Sequence, residues 1–288
     1  MHCYEIFVDL LSNRKSMQNK AIKYPYYILI LCFGLRAESQ KLPNVQPAGL
    51  YAADVKIDGK ASEWGHQLQA YNKSTSIFYT MANNNDNLYL VLQATDKTTI
   101  EKMLGGGLTL LISSNNKKVR PVTITTPLLP GSNRIAVTRK TNRKEPILDT
   151  ELPEINKAIS GGLKQMAVKG IAAIPDSAIS VYNEYGIKVA AQLDINKAYT
   201  CELVIPLKYI NQLTGSSGTF NYNIMVNGVK PTAFTAIAGA MKEMPAAGVY
   251  NITADASRNS VNGSSMNDLM SSTDFSGTYI LAKKNHET

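Results

Sequence analysis

The sequence predicts an all-β chain of antiparallel strands with one or two short helices. Three observations carry that prediction. Apolar residues recur at every second position in Leu88–Ala94, Tyr199–Ile205 and Phe220–Val226, the period of strands with at least one buried face. Turn formers separate such runs, Asn83-Asn84-Asn85-Asp86-Asn87 and Asn227-Gly228 among them. A hydrophobic share of 44% against 18% charge over 288 residues is enough to bury one large core.

From the start of the chain, Lys20 and Lys23 precede the apolar run 26–35, and Ala37 follows as a small residue. This is the layout of a cleaved signal peptide over 1–37, with Met17 a better start than Met1 because Glu5 and Asp9 suit an n-region poorly. The expectation is a secreted or periplasmic protein whose mature chain lacks a transmembrane span, the run being short for a bilayer. Loss of Cys3 and Cys32 would leave Cys201 alone, with no intramolecular disulfide.

Residues 38–50, polar with two prolines, read as an extended lead-in to a single domain over 51–284. Val55 and Ile57 alternate with Lys56 and Asp58 as in a strand that stops at Asp58-Gly59. Trp64, the sole tryptophan, follows. Ser76–Ala82 and Leu88–Ala94 form a hairpin, and the second run, apolar on both faces, belongs in mid-sheet. Thr98 and Glu101 match a capping box for a short helix that Gly105-Gly106-Gly107 ends, leading to a strand over Leu108–Ser113. These glycines lie between helix and strand with no Gly-Lys-Ser/Thr, so they are no phosphate loop.

Val119–Thr126 is a further strand, and the pattern then loosens over 127–162, an insertion holding Arg134, Arg139, Lys140, Arg143 and Lys144 and a short helix from Pro153 to Gly161-Gly162. Its charges would suit either a solvated loop or contact with an anionic cell-envelope surface. Strand texture returns at 166–173, and Ile179–Asn183 is expected to meet Ile187–Ala191 in a second hairpin. Ser257–Thr273 reads as a polar surface loop, and Thr278–Ala282 as the closing strand.

The chemistry is sparse. After the leader only His66 and His286 remain, without a Gly-x-Ser-x-Gly partner, and a lone cysteine cannot build a zinc site. Carboxylate pairs such as Glu63 with Asp96, or Glu184 with Glu202, would be needed for glycoside hydrolysis. The formal charge of +8 includes five basic and two acidic residues in 1–37, leaving +5 for the rest, too little to argue for nucleic acid.

IDGKASEW (57–64), a strand, an Asn/Asp turn, NLYLVLQATD (87–96) and a glycine step into LTLLIS (108–113), with TDFSGTYILAKK (273–284) at the end, resemble the family 9 carbohydrate-binding-module-like domains. The resemblance implies an antiparallel β-sandwich of the immunoglobulin or jelly-roll type, a carbohydrate or polysaccharide partner, no catalysis, and either a free-standing secreted role or an accessory role beside a glycoside hydrolase. It also implies a sugar clamped between two tryptophans, whereas this chain has Trp64 alone, in a motif suited to the core, and Ser276 where a second is expected. The candidate platform is therefore Tyr182 and Tyr185, flanking Asn183 and Glu184 at a turn, with Trp64 as the remaining family position. Members also hold calcium; Asp58, Asp86 and Asn87 offer hard oxygens, although turn formation accounts for all three, and no metal ligand or other cofactor is assigned. The alternative is an envelope interaction protein that kept the sandwich and lost the sugar site.

Overall fold

The computed structural model describes residues 41–284 except 54, 66, 176, 231–259 and 262–263. The chain divides after Lys41, and the sandwich belongs to Leu42–Thr288. In chain order its elements are β1 (Leu50–Tyr51), a 3-10 turn (Ser62–Trp64), β2 (Ala70–Asn72), β3 (Ile77–Asn83), β4 (Asn87–Ala94), α1 (Lys97–Gly105), β5 (Leu108–Ser113) and β6 (Val122–Thr125). There follow α2 (Gly131–Asn142), α3 (Leu152–Gly162), β7 (Gln165–Lys169), β8 (Ala178–Ser180), β9 (Lys188–Leu193) and β10 (Tyr199–Pro206). The chain closes with a 3-10 turn (Leu207–Tyr209), α4 (Asn211–Thr214), β11 (Thr219–Val226), β12 (Ser260–Val261), β13 (Ser264–Ser265), α5 (Met266–Met270) and β14 (Thr273–Ile280).

One sheet runs β1-β3-β4-β10-β9, with β2 also on β3; the other runs β14-β11-β5-β6-β7-β8. All pairings are antiparallel except β1 with β3. This is the expected all-β sandwich, carrying longer helices than expected. The hairpin β3–β4 is set by Asn84, whose side-chain oxygen accepts from the backbone N–H groups of Asp86 and Asn87 at 2.9 and 2.7 Å. Strand β4 lies in mid-sheet, and both its faces are buried. Its Leu88, Leu90 and Leu92 join Leu203 and Ile205 of β10 in the main core, with Leu110, Ile124, Phe220 and Ile224 of the second sheet. Across this core the Tyr79 and Tyr222 hydroxyls share a hydrogen bond of 3.0 Å, and Phe275 packs against both rings.

Two carboxamides close the flanks of the first sheet. The lead-in residue Gln46 is buried; its side chain accepts from the Met81 N–H and donates to the Met81 carbonyl, as a neighbouring strand would. On β9, Asn156 of α3 does the same to both backbone groups of Leu193, at 2.8 and 3.0 Å. Exposed strand edges invite pairing with other chains, and these contacts occupy the free backbone groups.

Five local expectations give way. Residues 55–57 form no strand: Val55 and Ile57 lie half-buried across the first sheet, because alternation serves a coil on a sheet face as well as a strand. The cap of α1 is Asp96, whose carboxylate accepts from the Thr99 N–H and hydroxyl, both at 2.9 Å, in place of a Thr98–Glu101 box. The insertion holds two packed helices, α2 and α3. Residues 179–191 are no hairpin, since β8 belongs to one sheet and β9 to the other; 181–187 cross between them. Within Ser257–Thr273, the described part carries β12, β13 and α5. Residues 1–37, where a signal peptide is expected, lie outside the described residues.

Candidate functional site

Trp64 is at the base of the segment that covers the outer face of the first sheet. Its ring is 8% exposed and meets Tyr89 edge-on, at 6.5 Å between centroids. The indole N–H donates to Glu202 Oε1 at 2.8 Å, while Glu202 Oε2 accepts from the backbone N–H groups of Asp58 and Gly59 at 2.9 and 2.7 Å. Glu202 itself is fully buried on β10. Burial raises its pKa, against the three donors, which favour the carboxylate. Gly59 has φ +87°, and a Cβ there would stand 2.7 Å from the Ala191 backbone. Thus IDGKASEW forms a latch whose acceptor lies 138 residues downstream. Trp64 presents no open face for a sugar.

Tyr182 is at the crossing from β8 to β9 and is 82% exposed, more than any other large hydrophobic residue described. The turn beneath it is fixed by Asn183, whose amide donates to the carbonyls of Ser180 and Ile187 at 2.8 and 2.7 Å and whose oxygen accepts from the Tyr185 N–H at 3.0 Å. The Tyr182 N–H donates to Ser180 Oγ. Glu184 is exposed beside it, and Tyr185 packs half-buried against the main core. The structure therefore gathers Tyr182, Asn183, Glu184 and Tyr185 into one turn but divides their work: Asn183 and Tyr185 hold the turn, and Tyr182 and Glu184 face outward. Trp64 belongs to the separate latch.

The other singled-out groups have local duties. Glu63 accepts from the Ser62 hydroxyl, Asp96 caps α1, and buried Glu202 shares no surface with Glu184. Asp58 pairs with Lys56 at 3.1 Å. It sits over Glu202, which pairs with Val91, four positions along β4 from Asn87. At about 3.4 Å per residue this puts Asp58 and the Asp86–Asn87 turn well beyond a shared coordination sphere. Among the described residues no group of three or more His, Cys, Asp or Glu gathers. Cys201 is buried, its thiol pushed up to about 12, so it is no ready nucleophile.

The basic insertion is partly neutralised. Arg134 is buried beside Glu101, and Lys140 and Arg143 both hold Glu151. Sequence reading overlooked a different cationic surface, a groove bordered by Lys118, Arg120 and Lys169. Lys118 and Arg120 share one turn, and the pairing of β6 with β7 brings Lys169, at the end of β7, beside them.

No protein-family model matches the sequence. No curated protein matches it. Among solved structures the chain is similar to a family 9 carbohydrate-binding module from Caldicellulosiruptor kristjanssonii in complex with glucose, over 83% of this chain and 97% of that one. The identity is 7% and the TM-score 0.36, so no residue is carried across.

Proposed function

We propose that the protein is an exported, non-catalytic glycan-binding module that uses Tyr182 as a stacking platform. The observation that carries this reading is the ring itself: 82% exposed, on a turn that Asn183 fixes from both sides. An apolar ring held clear of the core costs hydrophobic burial, and a fixed ring can meet the apolar face of a sugar with little ordering cost. Glu184, exposed next to it, can accept from sugar hydroxyls. Export rests on the run 26–35 with its flanking lysines. Hydrolysis is disfavoured because the Glu184–Glu202 pairing is broken by burial of Glu202.

A glycan array probed with the full chain, with and without added calcium, tests the reading. Binding to a neutral glycan that Tyr182→Ala removes is the expected result. Absence of binding to every neutral glycan by folded protein would end it. Dependence on calcium would redirect attention to Asp58 and the Asp86–Asn87 turn.

A further inference from the structure

The turns β5–β6 and β7–β8 end side by side, because β6 and β7 pair from Thr123↔Lys169 to Thr125↔Ala167. Gly170, at φ +87°, lets the second turn press on the first: a Cβ there would lie 1.9 Å from the Pro121 carbonyl oxygen. The two turns are thereby fixed against each other and form an open groove of about 720 Å³, with Gln212 of α4 at its border. That volume lies in the range of about 300–1,000 Å³ common for ligand sites. Ile171 and Ile174 are buried lining residues that give it an apolar floor. Lys118, Arg120 and Lys169 are exposed along it, and none has an ion-pair partner among the described residues. Asp176, in the second turn, lies outside the described residues.

We infer that this groove is a second binding site, one that takes an acidic oligosaccharide whose carboxylate or sulfate groups pair with Lys118, Arg120 and Lys169. Three cations without an ion-pair partner among the described residues, on a fixed frame, favour an anion without the cost of ordering the walls. The volume exceeds what a lone inorganic anion fills, and Gln212 and Ser177 offer donors and acceptors for hydroxyls. The described lining has no aromatic ring. That disfavours single-stranded nucleic acid, whose bases seek stacking platforms, and it distinguishes this groove from the Tyr182 turn. Along the short strand β8, Ser177 stands at the groove end, whereas Val181 and Tyr182 follow its far end.

The test titrates the full chain with an oligogalacturonate hexamer, a dextran sulfate oligomer, maltohexaose and inorganic phosphate. The acidic oligomers are expected to bind, more weakly at higher salt, with inorganic phosphate and maltohexaose competing poorly. Lys118→Gln/Arg120→Gln/Lys169→Gln should weaken that binding by about tenfold or more. A control of equal charge, Lys60→Gln/Lys144→Gln/Lys157→Gln, should stay within about twofold, since its lysines are exposed elsewhere. Arg120→Gln alone should give a partial loss, and Tyr182→Ala none. Equal losses in the two triple variants, equal affinity for inorganic phosphate, or no binding of either acidic oligomer by folded protein would overturn the inference. Loss of neutral-glycan binding in Tyr182→Ala addresses the other site, so the two readings fail separately.

Discussion

Trp64 and Tyr182 are the two rings a sugar-binding reading would reach for, and the fold treats them oppositely. Trp64 is sealed beneath its own segment, with its one donor held by a buried carboxylate. Tyr182 stands in solvent while its neighbours hold the backbone beneath it. An aromatic ring in a recognisable motif can thus be a fastening, and a ring in an unremarkable turn can be the surface that is offered. The difference comes from the partner: Trp64 finds Glu202, whereas Tyr182 stays 82% exposed among the described residues.

The comparison breaks most forcefully at the latch. Glu202→Ala leaves the Trp64 indole and the Asp58 and Gly59 N–H groups without their acceptor, so a loss of about 3–5 kcal/mol is expected in urea denaturation. Trp64→Ala should cost about as much, through the void it leaves. Were either tolerated within about 1 kcal/mol, Trp64 would not be the fastening described. Gly59→Ala is a smaller disturbance of the same latch. The left-handed φ and the close Ala191 backbone put its cost at about 1–3 kcal/mol, again read by denaturation.

Acid provides a third contrast, between two carboxylates. Arg143, Lys140 and the Leu148 N–H lower the Glu151 pKa to about 2, whereas burial raises that of Glu202. The contribution of Glu151 is present above the ordinary value of 4.5 and is lost as pH falls toward about 2. Glu202 acts with the opposite sign: its penalty is absent below 4.5 and grows as pH rises through its folded pKa. Glu151→Gln should therefore flatten the loss of stability between pH 4.5 and about 2, visible as a reduced acid shift in melting temperature. An unchanged acid slope would count against the Arg143–Glu151–Lys140 contact.

The strands were the legible part of this chain. In β11 burial alternates with the period of two read from the sequence, whereas β4 and β10 are buried on both faces and were legible as apolar runs between turns. The hairpin β3–β4 was readable from its Asn-rich turn. Regions where short runs meet distant partners were not. Ile179–Asn183 and Ile187–Ala191 look like hairpin arms around Gly186, yet which sheet each joins is decided by β7 and β10. Trp64 and Gly59 could be seen in IDGKASEW, but Glu202 carries no mark in the sequence that it is their acceptor. Lys117, Lys118 and Arg120 stand together in the β5–β6 turn, but Lys169 lies far along the chain at the end of β7, and nothing in the sequence marks that strand pairing brings it beside them. The insertion misled in the other direction: its basic residues are adjacent in sequence, and Glu151 and Glu101 neutralise part of them in space.

At the small end of the scale, Tyr182→Ala should change stability by no more than about 0.5 kcal/mol, since the ring is almost free of packing. That silence makes it the most direct probe of the central claim. Calorimetric titration of the neutral glycan selected by the array, against wild type and Tyr182→Ala with matched melting temperatures, is the deciding measurement. Use of Tyr182 as the platform predicts a loss of affinity of at least about tenfold, about 1.4 kcal/mol. Equal affinities would contradict it and place sugar recognition elsewhere on the sandwich.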